Sequence, residues 1–193
     1  MELEYRQHIG TIKRIPHRRK YKMRKVKVAA VQMRCTRDVN ANIANAEGLV
    51  RKAAADGAQI ILLPELFERQ YFCQERQYEY YEFAKPVEEN DAVKHFAKVA
   101  EELKVVLPIS FYEKDGKRLF NTVAILDADG TNLGIYRKTH IPDDHYYQEK
   151  FYFSSRALLH SEDSGRYHLR VIHHYAVPRV QVLQHIVKFL LFY

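Results

Sequence analysis

Residues 59–65 read Gln-Ile-Ile-Leu-Leu-Pro-Glu, and this run constrains the fold of the chain more than any other. Four apolar residues, Ile60 to Leu63, follow a turn signal at Asp56-Gly57 and stop at Pro64. A short, unbroken apolar run between breakers reads as a strand buried on both faces, as in a parallel sheet. Pro64 falls at its end, where no central ladder bond is lost. Glu65 therefore stands where the strand leaves the sheet. In open α/β sheets, ligands bind at that edge. The residues alone leave two readings of Glu65 open. It is a solvated loop carboxylate, or it lies in the crevice, where burial suits it to take a proton as a general base.

The flanking pattern supports an α/β class. Val26 to Met33 is rich in small and β-branched residues and predicts a first buried strand. Asn40 is a plausible N-cap for a helix over 41–56, with Ile43, Ala46, Val50 and Ala53 at helical spacing and Gly57 beyond its end. With a strand at 59–65 this makes β-α-β, a connection long enough for a parallel pair. Aromatics crowd the loop 66–77 (Phe67, Tyr71, Phe72), with Cys73 beside them, and either line a pocket or pack beneath it. Residues 78–83 predict a short helix, and Asn90 or Asp91 caps a longer one over 92–103. Strands are expected at 105–112, 118–127 and 133–139, the first two joined by a hairpin turn at Asp115-Gly116. Beyond Phe153 the texture changes. Val180, Leu183, Val187 and Leu190 fit an amphipathic helix, but a frayed strand pair fits as well.

At 193 residues the chain suits one domain. The net charge of +7 is uneven: residues 1–27 hold ten Lys/Arg against Glu2 and Glu4, and the rest holds 21 basic against 22 acidic residues. Residues 1–22 are thus expected to be a basic, disordered extension. Such an arm can touch phosphates, but no nucleic-acid-reading motif accompanies it, so a nucleic-acid partner is not expected. No apolar run is long enough for a membrane span, and Met1 to Lys22 has no apolar signal core. With only Cys35 and Cys73, the expected setting is the reducing cytoplasm.

There is no Gly-rich phosphate loop, no Cys-x-x-Cys and no His-Glu-x-x-His. His173 and His174 are adjacent and share no face. No metal or cofactor is therefore expected. Glu65, Lys138, His140 and Glu149 stand as polar residues at strand ends or in loops. A lysine beside a buried carboxylate can hold positive charge where an oxyanion develops.

Longer motifs sharpen this. Val28-Ala-Ala-Val-Gln-Met33, Leu62-Leu-Pro-Glu-Leu-Phe67 with Tyr71-Phe-Cys-Gln74, Leu107-Pro-Ile-Ser-Phe-Tyr112, Ile135-Tyr-Arg-Lys-Thr-His-Ile-Pro142 and Tyr147-Gln-Glu-Lys-Phe-Tyr-Phe153 occur in order. On these, residues 23–153 resemble the first half of the carbon–nitrogen hydrolase (nitrilase) superfamily, nearest to the members that hydrolyse N-carbamoylputrescine. The resemblance implies the first half of a four-layer α-β-β-α sandwich and Glu-Lys-Cys chemistry. Glu65 would be the base, Lys138 would hold the oxyanion and Glu149 would assist. Tyr71 and His140 would contact a small carbamoyl-amine substrate, without cofactor. Homo-oligomers are usual in the family.

One departure stands out. The family's nucleophile lies downstream in a motif like Gly-x-Cys-Trp-Asp, and the chain has no tryptophan and no cysteine after Cys73. Cys35 falls in the loop after the first strand, and Cys73 in the Tyr-Phe-Cys loop, neither being the nucleophile position. Residues 154–193 are therefore expected to be an unmatched, aberrant tail, and the chain to be inactive as it stands. The rival expectation is a non-catalytic interaction fragment.

Overall fold

The computed structural model describes residues 25–154. The readings made for the basic extension, and for the tail from residue 155 onward, lie outside the described residues. Within them the chain runs β1 (Val28–Ala30), α1 (Val39–Ala55), β2 (Ile60–Leu62), α2 (Asp91–Leu103), β3 (Leu107–Asp115), β4 (Arg118–Leu126), β5 (Asn132–Arg137) and α3 (Glu149–Tyr152). Short 3₁₀ helices at Phe72–Gln74, Tyr78–Phe83 and Val87–Glu89 fill the long passage from β2 to α2. The expected order of strands and helices is present, and α3 is an addition.

The β-α-β unit forms as its spacing requires. β1 and β2 are parallel, with Val28 opposite Ile60 and Ala30 opposite Leu62. This pair joins the sheet of β3 to β5 through a parallel bridge of Ile60 with Val106, the residue before β3, where Ile61 N–H bonds Val106 O at 3.0 Å and Val106 N–H bonds Gln59 O at 2.9 Å. β3 and β4 form an antiparallel hairpin in unbroken register from Leu107–Leu126 to Asp115–Arg118. Gly116 turns the corner at φ +59°, a conformation costly for residues with a Cβ. β5 pairs antiparallel with β4.

Several boundaries differ from expectation, each for a local reason. β1 is three residues long rather than eight, and Val28 is 46% exposed. It is the edge of the described sheet, bonded to β2 alone, so it is not the buried strand its composition suggests. The N-cap of α1 is Asp38, not Asn40: the Asp38 carboxylate accepts the Ala41 N–H at 3.0 Å, and Asn40 lies inside the helix. β3 starts two residues late and runs three residues further, because its pairing with β4 holds it to the hairpin. β5 ends at Arg137, which leaves Lys138 just past the strand. Residues 78–83 coil as a 3₁₀ helix.

Both long helices lie on one face of the sheet. Ile43, Ala46 and Val50 of α1 and Ala92, Val93, Phe96, Val99 and Ala100 of α2 share a core with Ile61, Leu107, Ile109, Phe111, Ala124 and Leu126. Burying each large apolar side chain contributes about 1.5–3 kcal/mol. The opposite face of the sheet is apolar as well, built from Ile60, Val106, Val123 and Ile125. A sheet apolar on both faces, with helices on one, provides the first two of the four expected layers. At one end of the sheet Phe72, Tyr112, Tyr152 and Phe153 form an aromatic cluster, with Phe72 edge-on to Tyr152 at 5.0 Å. This cluster clamps the loop after β2 against α3. It decides the open question about the loop aromatics: Phe72 and Cys73 pack beneath, and Tyr71 stays half-exposed.

Candidate active site

The site is assembled at the end of the sheet from four separate stretches. After β2 the chain passes Pro64 and Glu65, and Leu66 then takes φ +52°. A leucine in this left-handed region is uncommon and strained. The kink is held by the buried Ser110 of β3, whose Oγ accepts the Leu66 N–H at 3.1 Å. It leaves Glu65 directed toward β4 and β5. There Asn121 of β4 donates its Nδ2 to Glu65 Oε1 at 2.6 Å. The carbonyl of Asn121 accepts the backbone N–H of Lys138 at 2.8 Å, which sets that residue immediately beyond β5.

Lys138 is the centre of the arrangement. Its Nζ lies 2.9 Å from Glu65 Oε1 and 3.0 Å from each oxygen of Glu149. Tyr71 donates its hydroxyl to Glu149 Oε1 at 2.6 Å. Lys138 and Glu149 are buried, and the Glu65 side chain keeps 26% of its surface exposed. Of the two readings of Glu65, the structure takes neither in full: the carboxylate is paired and partly enclosed, yet reachable from outside.

The electrostatics follow from this packing. Burial works against the Lys138 ammonium, but the charges of Glu65 and Glu149 outweigh it, and its pKa lies above the ordinary lysine value. Burial pushes the Glu149 carboxyl up, against the opposing pull of Tyr71 and Lys138. Burial, then the bond to Glu149, drives the Tyr71 hydroxyl far up, so it stays a protonated donor. Cys73 has no exposed surface, and burial followed by the charges of Glu149 and Glu65 drives its thiol well above the usual range. A thiol held protonated is a poor nucleophile. Cys35, in the loop after β1, is half-buried and its pKa is also raised by burial.

Glu65, Lys138, Glu149 and Tyr71 are thus brought together; the resemblance gives Tyr71 a substrate contact, and in the structure its hydroxyl bonds Glu149. His140 is exposed, two residues past Lys138. Tyr71 also borders a cavity of about 210 Å³, shared with Arg37, Arg69, Glu75, Glu79 and Tyr80. Asn121 and Ser110 escape a reading of the sequence alone. The available signal is a polar residue inside an otherwise apolar strand, as in Phe120-Asn121-Thr122-Val123. The loop beyond Leu66 has its own brace: Asn42 Nδ2 donates to Glu68 O at 3.0 Å, and Asn90, which caps α2, donates Nδ2 to both Glu68 carboxylate oxygens. Among the described residues no cluster of three or more His, Cys, Asp or Glu is arranged to hold a metal ion, and no helix is long and apolar enough to cross a membrane.

Helices on one face of a mixed sheet, with a carboxylate–ammonium–carboxylate cluster at its end, define an α/β protein of the nitrilase-type sandwich. The chain belongs to the carbon–nitrogen hydrolase family, whose model (Carbon-nitrogen hydrolase) matches residues 27–182 and so runs past Phe153. It is 52% identical over 130 residues to N-carbamoylputrescine amidase of Oryza sativa subsp. japonica, covering 67% of this chain and 43% of the relative. It is 44% identical over 132 residues to citrullinase of Francisella tularensis, covering 68% and 46%. Among solved structures it resembles a carbon–nitrogen hydrolase from Helicobacter pylori G27, with TM-score 0.63 and 29% identity over 67% of this chain and 45% of that one. Saccharomyces cerevisiae Nit3, a nitrilase-superfamily member, gives TM-score 0.56 and 26% identity over 67% and 48%. The chain spans less than half the length of these relatives.

Proposed function

We propose that this chain supplies the general base and the oxyanion-binding cation of an amidase acting on linear carbon–nitrogen bonds. The substrate is N-carbamoylputrescine, and the products are putrescine, carbon dioxide and ammonia, a step in polyamine biosynthesis. The observation that carries the reading is the Lys138 ammonium within 3.0 Å of both Glu65 and Glu149. A cation preorganised in a water-poor site stabilises charge that develops during acyl transfer. Glu65, the more accessible carboxylate, takes the proton of an attacking cysteine thiol. Glu149 and Tyr71 hold the lysine in place. The oxyanion forms against Lys138 and collapses to a thioester as the C–N bond breaks and ammonia leaves with the proton held by Glu65. Water then cleaves the thioester, returning the thiol and giving a carbamic acid that loses carbon dioxide to leave putrescine. The name of the rice relative supports the choice of substrate. A cytoplasmic, homo-oligomeric enzyme without cofactor goes with this reading, and so does a division into extension, half-domain at 23–153 and tail.

We assign the attacking thiol to neither Cys35 nor Cys73, since burial raises the pKa of both and Cys73 has no exposed surface for a substrate to reach. The chain alone is therefore inert in this reading. The test is ammonia release from N-carbamoylputrescine by the purified chain, and by the chain mixed with the C-terminal half of the rice relative. Association of the two pieces is checked first by gel filtration. Release by the associated mixture alone is the expected result. Release by the chain alone, abolished by Cys73→Ser, overturns the cysteine assignment. An associated but silent mixture overturns the amidase reading.

A further inference from the structure

Among the described residues, one buried side-chain polar atom lacks a hydrogen-bond partner: Oδ1 of Asn121. Its neighbour supplies the reason. A carboxylate oxygen only accepts, so the amide must present its Nδ2 to Glu65 Oε1, 2.6 Å away. Oδ1 then faces the other way, into protein, without a donor. Asn121 is only 1% exposed, and an orphaned acceptor at such a place costs stability. An apolar residue of the same shape would remove that cost. Phe120, Val123, Ala124 and Ile125 of β4 are apolar, and the buried hydroxyl of Thr122 is partnered by Glu113, yet Asn121 keeps an acceptor without a donor.

We propose that Asn121 is a positioning residue for the site. Its amide holds the Glu65 carboxylate in the orientation from which it takes a proton. Its backbone carbonyl, bonded to Lys138 N–H at 2.8 Å, places the lysine from the same point on β4. One residue thereby sets both members of the Glu65–Lys138 pair, 73 positions apart in sequence. The Ser110 bond to Leu66 N–H fixes the backbone beside Glu65, and the Asn121 amide and the Lys138 ammonium both reach its Oε1. The role assigned to Glu65 rests on the proposed amidase reading.

Two substitutions separate positioning from packing, because both leave the backbone bond to Lys138 in place. Asn121→Leu removes the donor and the orphaned acceptor together. Asn121→Asp keeps the shape but faces Glu65 with an acceptor. In the full chain, N121L is expected to melt at or above the wild-type temperature. The Glu65 ¹³Cδ resonance at pH 7, followed by NMR, is expected to move in both N121L and N121D, because the carboxylate has lost the amide donor that stands 2.6 Å away. A lower melting temperature with an unmoved Glu65 ¹³Cδ resonance in both variants shows a packing role and overturns the proposal. In the two-piece mixture, N121L is expected to lower kcat about tenfold or more with KM unchanged. A silent wild-type mixture defeats the amidase reading, and the Glu65 ¹³Cδ resonance then still decides the Asn121 contact.

Discussion

Lys138 Nζ lies 3.0 Å from both carboxylate oxygens of Glu149, and both side chains are buried. The pair ties the chain just past β5 to the first residue of α3, eleven positions later. Buried ions of this kind are held by one another, so losing one leaves the other without compensation.

Replacing Lys138 with methionine is therefore expected to cost about 3–5 kcal/mol in urea unfolding at pH 7. The pH dependence has a definite sign. The folded-state pKa of Lys138 is raised, so its contribution is complete below the ordinary lysine value of about 10.4 and is lost as the pH rises through the higher folded value. The stability gap between wild type and K138M should thus be constant near neutrality and shrink above about pH 10.4.

Tyr71→Phe removes the hydroxyl that Glu149 Oε1 accepts and keeps the ring that borders the cavity. A hydrogen bond to a charged group is worth about 1.5–3 kcal/mol, and a loss of that size is the expected outcome of chemical unfolding. The Glu149 carboxyl, already pushed up by burial, should titrate higher still in Y71F.

In the two-piece assay, Glu65→Gln is expected to lower ammonia release by about 10²–10⁴-fold, the range of a lost general base. The fold should be almost unaffected, because Lys138 keeps both bonds to Glu149 and Glu65 is partly exposed. Melting curves of E65Q and wild type that nearly coincide, beside the lost activity, are the expected pair of results.

Gly130 ends the turn between β4 and β5 at φ +83°, and a Cβ there would stand 2.9 Å from the Ala97 carbonyl of α2. Gly130→Ala meets backbone strain and a clash with a rigid helix at once. A loss of about 1–3 kcal/mol is expected, read from thermal unfolding.

Lys104, exposed at the end of α2, takes φ +56°, the left-handed cap that glycine adopts without strain. Lys104→Gly is expected to raise stability by about 1 kcal/mol in the same measurement.

Much of the frame was legible because it is written in local periods. The apolar run Ile60–Leu63, the helical spacing of α1 and α2 and the Asp115-Gly116 turn each state their own structure within a few residues. Where the reading strayed, a neighbour outvoted composition. Val26 to Met33 has the composition of a core strand, but only Val28–Ala30 pair, at an edge where no other strand among the described residues bonds to them. Asn40 and Asp38 both suit an N-cap, and the position of Ala41 N–H chooses Asp38. The site was legible only through long motifs, since a lone glutamate after a proline and a lone lysine after a strand each read equally well as surface residues.

The residue types and their order determined that this chain makes a β-α-β unit and a hairpin, and set Glu65, Lys138 and Glu149 at strand ends or in loops. Only the tertiary structure decided that these three meet, that Tyr71 completes them, that Cys73 is sealed away protonated, and that Asn121 leaves its own oxygen unpartnered to hold Glu65. The physical reason is register. Glu65 and Lys138, 73 positions apart, meet because the bridge beside β2 and β3 and the β3–β4–β5 ladders fix the order of the strand ends, while the aromatic cluster that packs α3 brings Glu149 to them, and no local pattern encodes those distances.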